Sequence, residues 1–357
     1  MENMVSPWAG CRVFLTGHTG FKGSWLALWL KRLGAQVRGY SLDPRTQPNL
    51  FTSASVGATL EDVRGDIRDF PRLQASISDF DPQVVFHLAA QPLVRQSYLD
   101  PLGTYATNIM GTANVLEAVR RTSSVKAVVC VTTDKCYENK EWIWPYRETD
   151  ALGGYDPYSS SKACAELVTS AFRNSYFSVG SNHTRDVAVA TARAGNVIGG
   201  GDWAEDRLVP DLIRGFETGN PVRIRRPDSV RPWQHVLEPL HGYLLLAECL
   251  LSGEPKFGSA FNFGPADQDA WTVDRIATKL VDLWGCGARW VRDADPGVHE
   301  AGYLKLDSSK ARTELNWRPR LDIESALEWT AAWYGAASRS LNMQLFTLEQ
   351  IAEYEGL

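Results

Sequence analysis

The sequence predicts an α/β fold: a doubly wound parallel sheet with a smaller part interleaved into its C-terminal half. Three observations predict it. Short β-branched or aromatic runs alternate with segments of helical spacing, the rhythm of a sheet covered by helices on both faces. The first run ends in a glycine loop that opens a helix. The chain has 357 residues, which at roughly 150 residues per domain allows about two domains. Hydrophobic residues make up 44% and charged residues 22%, the balance of a soluble globular chain, not a disordered one.

Arg12 to Thr16 (RVFLT) reads as the first strand and Ser24 to Leu33 as the helix after it. Gln36 to Ser41 is strand-like again. Further strands are expected at Val84 to Leu88, Ala127 to Thr132, Val187 to Arg193 and Ser259 to Gly264, with helices at Thr104 to Arg121 and Tyr158 to Asn174. From Gly199 to Pro239 the chain turns rich in Gly, Pro, Arg and Trp, with one helix near Leu208 to Thr218. A helix and strand follow over Pro239 to Gly264. The stretch after Trp271 is mostly helical, around a Pro/Gly/Asp-rich gap at Asp293 to Gly297. Residues 1–196 plus about 234–268 are thus expected to form the sheet domain, and about 197–233 plus 269–357 the smaller one.

Composition excludes several classes. The net charge is −5, whereas a nucleic-acid binder would be basic. Apolar runs such as Trp25 to Leu30 fall far short of the ~20 residues of a membrane span. The N-terminal Met-Glu-Asn-Met shows no basic and apolar leader, so a cytoplasmic location is expected. The 6 cysteines and 6 histidines are scattered without C-x-x-C or H-E-x-x-H spacing, so no protein-bound metal is expected. The 13 tryptophans, as many as the phenylalanines, are unusual.

The glycine loop has the spacing G-x-x-G-x-x-G at Gly17, Gly20 and Gly23, with Phe21 in its last step. Glycines there permit a tight turn and let a pyrophosphate approach the backbone at a helix N-terminus. A second strand ends at Asp43, 20 residues past Gly23. A carboxylate there accepts from the adenosine ribose hydroxyls and repels a 2′-phosphate, which favours NAD over NADP. Arg45, two residues on, softens that repulsion. Asp66 and Ile67 are placed to cap the adenine edge, and Ala89 and Ala90 to let the cofactor lie close. His18 and Lys22 are unusual company for a phosphate. Either is placed to approach the diphosphate; His18 is equally placed to crowd it, and for Lys22 a solvated charge is the preferred reading.

Tyr158 and Lys162 open a helix four residues apart, so both project from one face. A nearby cation favours the phenolate. Such a tyrosine takes a proton from a sugar hydroxyl while hydride leaves the same carbon. Thr133, Asp134 and Lys135 follow a strand, at the carboxyl edge where doubly wound sheets bind ligands. Asn108 sits inside a helix, where a polar residue suggests a functional reason.

These segments together resemble the extended short-chain dehydrogenase/reductases that modify nucleotide sugars, and among them the 4,6-dehydratases. The resemblance is carried by TGHTGFKGSW (Thr16 to Trp25), GDIRDF (Gly65 to Phe70), HLAAQPLVR (His87 to Arg95), TDKCYEN (Thr133 to Asn139), GGYDPYSSSK (Gly153 to Lys162), RAGNVIGGGDW (Arg193 to Trp203) and RPWQHVLEP (Arg231 to Pro239). It implies a Rossmann domain with NAD bound by the glycine loop, and by Asn108, Tyr158, Lys162 and Arg193. It implies conversion of CDP-glucose to a 4-keto-6-deoxy sugar, the product feeding 3,6-dideoxyhexose or related surface-polysaccharide synthesis. Tyr158, with Lys162 and Thr133, would take the O4 proton, and Asp134 would protonate the departing C6 hydroxyl. Asn108 would complete a tetrad with Thr133, Tyr158 and Lys162. Lys135 stands where most such dehydratases carry a glutamate as the C5 base. It would act either as a base with a lowered pKa or as a cation holding an enolate.

On the substrate side, Arg207 and Arg231 match diphosphate positions, since guanidinium suits bidentate phosphate contacts. Asn196 and Asn262 match polar contacts, and His299 and Tyr303 a C-terminal substrate segment. Arg223, Arg225 and Arg226 are equally well a solvated basic stretch. The resemblance also implies a homodimer through a four-helix contact of the 104–121 and 158–174 helices. Other readings are a different nucleotide-sugar dehydratase or epimerase, one using GDP-mannose for example, and a silent dinucleotide-binding regulator. The presence of Thr133, Tyr158 and Lys162 speaks against the last. Trp25, Trp203 and Trp233 fall inside matched segments. Trp142 and Trp144 lie in a loop expected to border the sugar.

Overall fold

β-Branched runs build the sheet where the sequence places them. In this computed structural model, which describes residues 6–177, 186–285, 287–294 and 302–357, the first strands are β1 (Arg12–Thr16), β2 (Gln36–Ser41), β3 (Glu61–Arg64), β4 (Val84–His87), β5 (Ala127–Val131) and β6 (Ala188–Ala194). Short strands β7 (Val197–Ile198), β8 (Val222–Ile224) and β9 (Gln234–His235) precede β10 (Ala260–Phe263) and β11 (Trp290–Arg292). Among the described residues the main sheet has seven strands in the order β10-β6-β5-β4-β1-β2-β3. Every neighbouring pair is parallel. The doubly wound parallel sheet expected from the sequence is present. β3 was not foreseen. Its sequence is EDVR with both acidic residues exposed, and a short charged strand at a sheet edge carries too little apolar pattern to read.

The two faces of the sheet carry separate cores. Along β1, Val13 and Leu15 join one cluster with Val84, Phe86 and Val129, while Phe14 joins another with Tyr40, Val85 and Val128. This is the two-residue alternation of a strand buried on both sides. Helix α1 (Phe21–Arg32) is buried from Gly23 to Leu30. It lies between the sheet and the last helix, so its SWLALWL run has no polar face.

Next come α2 (Leu50–Ser53), α3 (Phe70–Phe80), α4 (Val94–Leu99), α5 (Pro101–Tyr105) and α6 (Gly111–Arg121). The single helix expected over 104–121 is interrupted by a π-turn at Ala106–Met110. Such turns occur often at functional sites, and this one carries Asn108. Helix α7 (Pro157–Tyr176) starts cleanly: Asp156 accepts from the Ser159 amide at 2.9 Å and Pro157 takes the first helical position.

The remaining helices are α8 (Leu208–Thr218), α9 (Leu237–Leu251), α10 (Val273–Trp284), α11 (Ser309–Glu314), α12 (Ile323–Ser338) and α13 (Met343–Gly356). β8 and β11 pair in a separate two-stranded sheet. The far C-terminus packs back onto α1: Trp29 lies edge-on to Tyr354 and donates to Glu355 at 2.8 Å. No helix among the described residues is long and apolar enough to cross a membrane.

Buried tryptophans seal these junctions, each with its indole N–H satisfied. Trp25 donates to the Gly200 carbonyl at 2.9 Å, Trp317 to the Glu238 carbonyl at 3.1 Å and Trp333 to the Thr347 hydroxyl at 3.0 Å. The Glu238 carboxyl accepts from the Arg320 and Leu321 amides at 3.0 and 2.8 Å and from the Tyr354 hydroxyl at 2.7 Å. It thereby ties α9 to the C-terminal helices. Burial raises its pKa from 4.5 to about 7 against those hydrogen bonds.

A raised carboxyl pKa means that the folded chain binds a proton the unfolded chain has lost. This contribution is present at low pH and fades as pH rises toward 7. Glu238→Gln removes the ionisation. Its stability relative to wild type, from urea denaturation, should therefore rise between pH 5 and pH 7.5, by on the order of 2–3 kcal/mol. An equal difference at both pH values would refute the assignment.

Candidate active site

The chain leaves β1 toward β2 on one side and leaves β4 toward β5 on the other. Beyond the carboxyl ends of these two adjacent strands, a doubly wound sheet must open a crevice. A cavity of about 1360 Å³ lies there. The glycine loop forms its floor. Gly17 has φ +79°, and a β-carbon on it would stand 2.7 Å from the Ala89 nitrogen. One on Gly23 would stand 2.1 Å from the Gly17 carbonyl oxygen. Beside them the Thr16 hydroxyl accepts from the Leu88 and Ala89 amides at 3.1 and 3.2 Å and lies 2.8 Å from His87 Nδ1. β1 and β4 are thus stapled at the crevice.

Gly20 caps α1 with no side-chain hydrogen bond, and Gly20 to Gly23 face the cavity. The first amides of α1 are left for an anion, which fits a dinucleotide pyrophosphate. Asp43 lies on the cavity rim with Arg64 Nε 3.5 Å away. Asp66, Ile67, Ala89 and Ala90 also line the wall. The Asp66 carboxyl is held below its ordinary pKa by Arg68.

Two loop residues depart from expectation. His18 is fully buried, 2.8 Å from Asp62 and edge-on to Phe51. It faces away from the cavity, so it crowds no phosphate. Lys22 lines the cavity instead of lying in solvent. Its Nζ donates to the Tyr243 hydroxyl at 3.4 Å. Burial, reinforced by Arg207 and Lys162, pulls its pKa down to about 7. A signal was available: a lysine in the first turn sits at the positive end of the helix dipole.

Thr133, Asp134, Lys135, Tyr158 and Lys162 meet on one wall. Lys162 Nζ donates to the Val131 carbonyl at 3.3 Å, and burial lowers its pKa to about 8. Burial raises the Tyr158 phenol to about 12, while a hydrogen bond with the Thr133 hydroxyl pulls it back. Desolvation thus sets the direction, against the lowering expected from a neighbouring cation, and the cation that opposes it is Arg207. Asp134 Oδ1 accepts from the Thr133 hydroxyl at 2.9 Å, and Oδ2 is buried with no partner. Burial raises the Asp134 pKa, opposed by Lys135, the Thr133 hydroxyl, Arg231 and Lys22. Lys135 is half-buried on the same wall.

On the far side, Asn196, Arg207 and Arg231 line the cavity as expected. Arg207 is held by Asp202 at 2.8 Å. Arg223, Arg225 and Arg226 join them at the cavity edge: Arg225 and Arg226 are half-buried there, while Arg223 is exposed.

Several expected contacts are elsewhere. Asn108 is buried behind the wall, where it exchanges hydrogen bonds with the Gln91 backbone and donates to Ser161 at 2.8 Å. It braces the groups that line the cavity. Arg193 turns from the cofactor side to pair with Glu166 at 2.8 Å. Asn262 is a core residue bonded to Tyr137 and to the Tyr146 and Asp307 carbonyls. Each is drawn inward by a buried polar partner that no linear pattern reveals. Tyr303 bridges to Val230 and lies off the cavity wall. His299 lies outside the described residues. Trp142 and Trp144 are exposed and meet edge-on, with Trp142 stacked on Tyr146, and neither lines the cavity.

The glycine cradle makes a direct prediction. Gly23→Ala should weaken dinucleotide binding by tenfold or more in calorimetry, because the Gly17 carbonyl must shift to admit the β-carbon. Unchanged affinity would place the pyrophosphate elsewhere.

Comparison with known proteins agrees with this arrangement. Residues 13–264 match the model of the NAD dependent epimerase/dehydratase family. The chain is 53% identical over 347 residues to the CDP-glucose 4,6-dehydratase of Salmonella typhimurium, covering 97% of each. It is 31% identical over 333 residues to the dTDP-glucose 4,6-dehydratase of Streptomyces antibioticus, covering 90% of this chain and 92% of the relative. Its fold superposes with a TM-score of 0.75 on a Bacillus anthracis dTDP-glucose 4,6-dehydratase solved with NAD, at 22% identity, covering 94% of this chain and 100% of that one. The chain belongs to the NAD dependent epimerase/dehydratase family.

Proposed function

We propose that this protein is a lyase that converts CDP-glucose to CDP-4-keto-6-deoxyglucose. One observation carries the reading: a buried carboxyl with an unpartnered oxygen, Asp134, shares a wall with the Tyr158–Lys162 pair. A simple oxidation or epimerisation at C4 needs only the pair. A raised-pKa carboxylic acid beside it suits protonation of a leaving hydroxyl. The similarity to the Salmonella enzyme supports the choice of sugar and base.

NAD, which the glycine loop at Gly17, Gly20 and Gly23 together with Asp43, Asp66 and Ala89 would hold, would supply the hydride-storing chemistry that links C4 to C6. The rest falls to the chain. Tyr158 accepts the O4 proton, a step the ammonium of Lys162 assists by favouring phenolate. With Lys162 at a pKa of about 8, turnover should decline above that pH as the ammonium is lost. Lys135, next along the wall, acts at C5 as base or as the cation that holds the enolate. Asp134 protonates O6, so water departs across C5 and C6. Arg207, Arg231 and Asn196 hold the diphosphate and sugar. Residues 1–196 and 234–268 then serve the cofactor, and 197–233 and 269–357 the sugar nucleotide.

The protein acts in the cytoplasm as a homodimer through a four-helix contact of the stretches 104–121 and 158–174. Exposed Met110, at the end of the π-turn, and Leu167 on α7 favour a covered face. A monomer in light scattering at micromolar concentration would count against the dimer.

Incubation with NAD and CDP-glucose, GDP-mannose or dTDP-glucose tests the reading through the alkali-induced absorbance of a 4-keto sugar. CDP-glucose should be turned over best. Failure to turn it over would overturn the proposal. Tyr158→Phe should lose about 10²–10⁴-fold in C4 oxidation. Asp134→Asn should keep C4 oxidation and slow water loss by a similar factor. Lys135→Met should suppress solvent exchange at C5 more than oxidation at C4; unimpaired dehydration would remove Lys135 from the chemistry.

A further inference from the structure

Behind the catalytic wall lies a second charged site that the reaction above leaves unused. Glu166 on α7 and Arg193 on β6 pair at 2.8 Å, each side chain only 4% exposed. Two desolvated ions cost several kcal/mol each, and a packed apolar pair of the same volume often serves stability as well. Such a pair invites the question of what its geometry holds.

It holds both ends of the catalytic loop. Glu166 Oε1 accepts from the Thr132 hydroxyl at 2.5 Å, one residue before Thr133. Its Oε2 accepts from the Thr191 hydroxyl at 2.7 Å and from Arg193 Nη2. Arg193 Nη1 donates to the Tyr137 hydroxyl at 2.8 Å, two residues after Lys135. Tyr137 in turn donates to Asn262 at 2.7 Å. Thr133, Asp134 and Lys135 therefore hang between two anchors on one ion pair. Glu166 is also one helical turn beyond Lys162 and two beyond Tyr158 on α7. The same carboxylate thus fixes the loop to the helix that carries the other half of the chemistry.

We propose that Glu166 and Arg193 are a positioning pair that sets the loop of Thr133, Asp134 and Lys135 in register with Tyr158 and Lys162. The inference rests on the reaction proposed above and deepens it. Displacing a reacting group by about 1 Å costs on the order of 10²-fold in rate, so a buried clamp of this kind acts on turnover more than on affinity. Glu166 has a second effect. Burial opposes its ionisation, but Arg193 and the two hydroxyls hold it as a carboxylate, and its charge raises the pKa of Lys162.

The test cuts the arms one at a time. Thr132→Val and Tyr137→Phe each remove one hydroxyl and leave the ion pair whole. Both should lower kcat on CDP-glucose by about tenfold or more, with KM and the dinucleotide Kd within twofold of wild type and the pH profile unmoved. Glu166→Gln should lower kcat as well and shift the alkaline limb of the profile to lower pH. Leu73→Ala, in the remote core of α3, serves as control: it should lower the melting temperature without lowering kcat. Hydrogen exchange of the 132–137 amides, measured without substrate, should quicken in both hydroxyl variants. Wild-type kcat, a change confined to KM, or unchanged exchange in these two variants would overturn the clamp, whether or not Glu166→Gln folds. An inactive wild type would instead overturn the proposed reaction, and the exchange measurement would still judge the clamp.

Discussion

The backbone of Gly17 lies against that of Ala89 too closely for a β-carbon, and the site depends on that contact. β1 and β4 are adjacent strands whose chains depart in opposite directions. The glycine lets their exits stay together while the loops above them diverge. The Thr16 hydroxyl reinforces the junction by accepting two amides from the β4 exit. The crevice, the open N-terminus of α1 and the placing of the Tyr158–Lys162 wall all follow from this one approach of two backbones.

Electrostatics in the cavity is local. The chain is acidic overall, yet the cavity is rich in cations, several with their own carboxylates. Asp202 holds Arg207, Asp206 holds Arg95 at 2.8 Å, and Asp66 holds Arg68. The contribution of exposed pairs to stability is small, but each fixes the direction of a guanidinium. Deeper in, burial dominates. It draws Lys22 and Lys162 down toward neutrality and pushes Asp134 and Tyr158 up. A desolvated wall with groups poised between charge states suits a reaction that moves several protons at neutral pH.

Local patterns were legible because strand and helix periods are written residue by residue. The seven buried residues of SWLALWL, the RVFLT strand and the Tyr158–Lys162 spacing could be read directly. β3 was not, since a four-residue polar edge strand has no periodicity to read. The π-turn at 106–110 was hidden inside an ordinary helical pattern. Arg193 sits in a matched segment, and Asn262 and Asn108 were expected at the site, yet they face Glu166, Tyr137 and Gln91. Their partners lie 17 to 125 residues away in the chain. Lys22 looked like surface and is cavity wall, because the side of α1 it occupies is decided by what packs opposite.

By itself the sequence determined the parallel sheet and the glycine cradle, since both are encoded in short-range spacing and residue type, and its matched segments pointed to the family. The tertiary structure alone decided which polar residues face the cavity and which are spent inside it. A buried donor or acceptor must find a partner across the fold, and that partner is set by how strands and helices from distant parts of the chain come together. The tryptophans show both sides. Their number is a fact of composition, but that Trp25 ties α1 to the Gly200 loop, Trp317 ties the C-terminal segment to α9 and Trp333 joins α12 to α13, while Trp144 stands exposed, was settled only by packing.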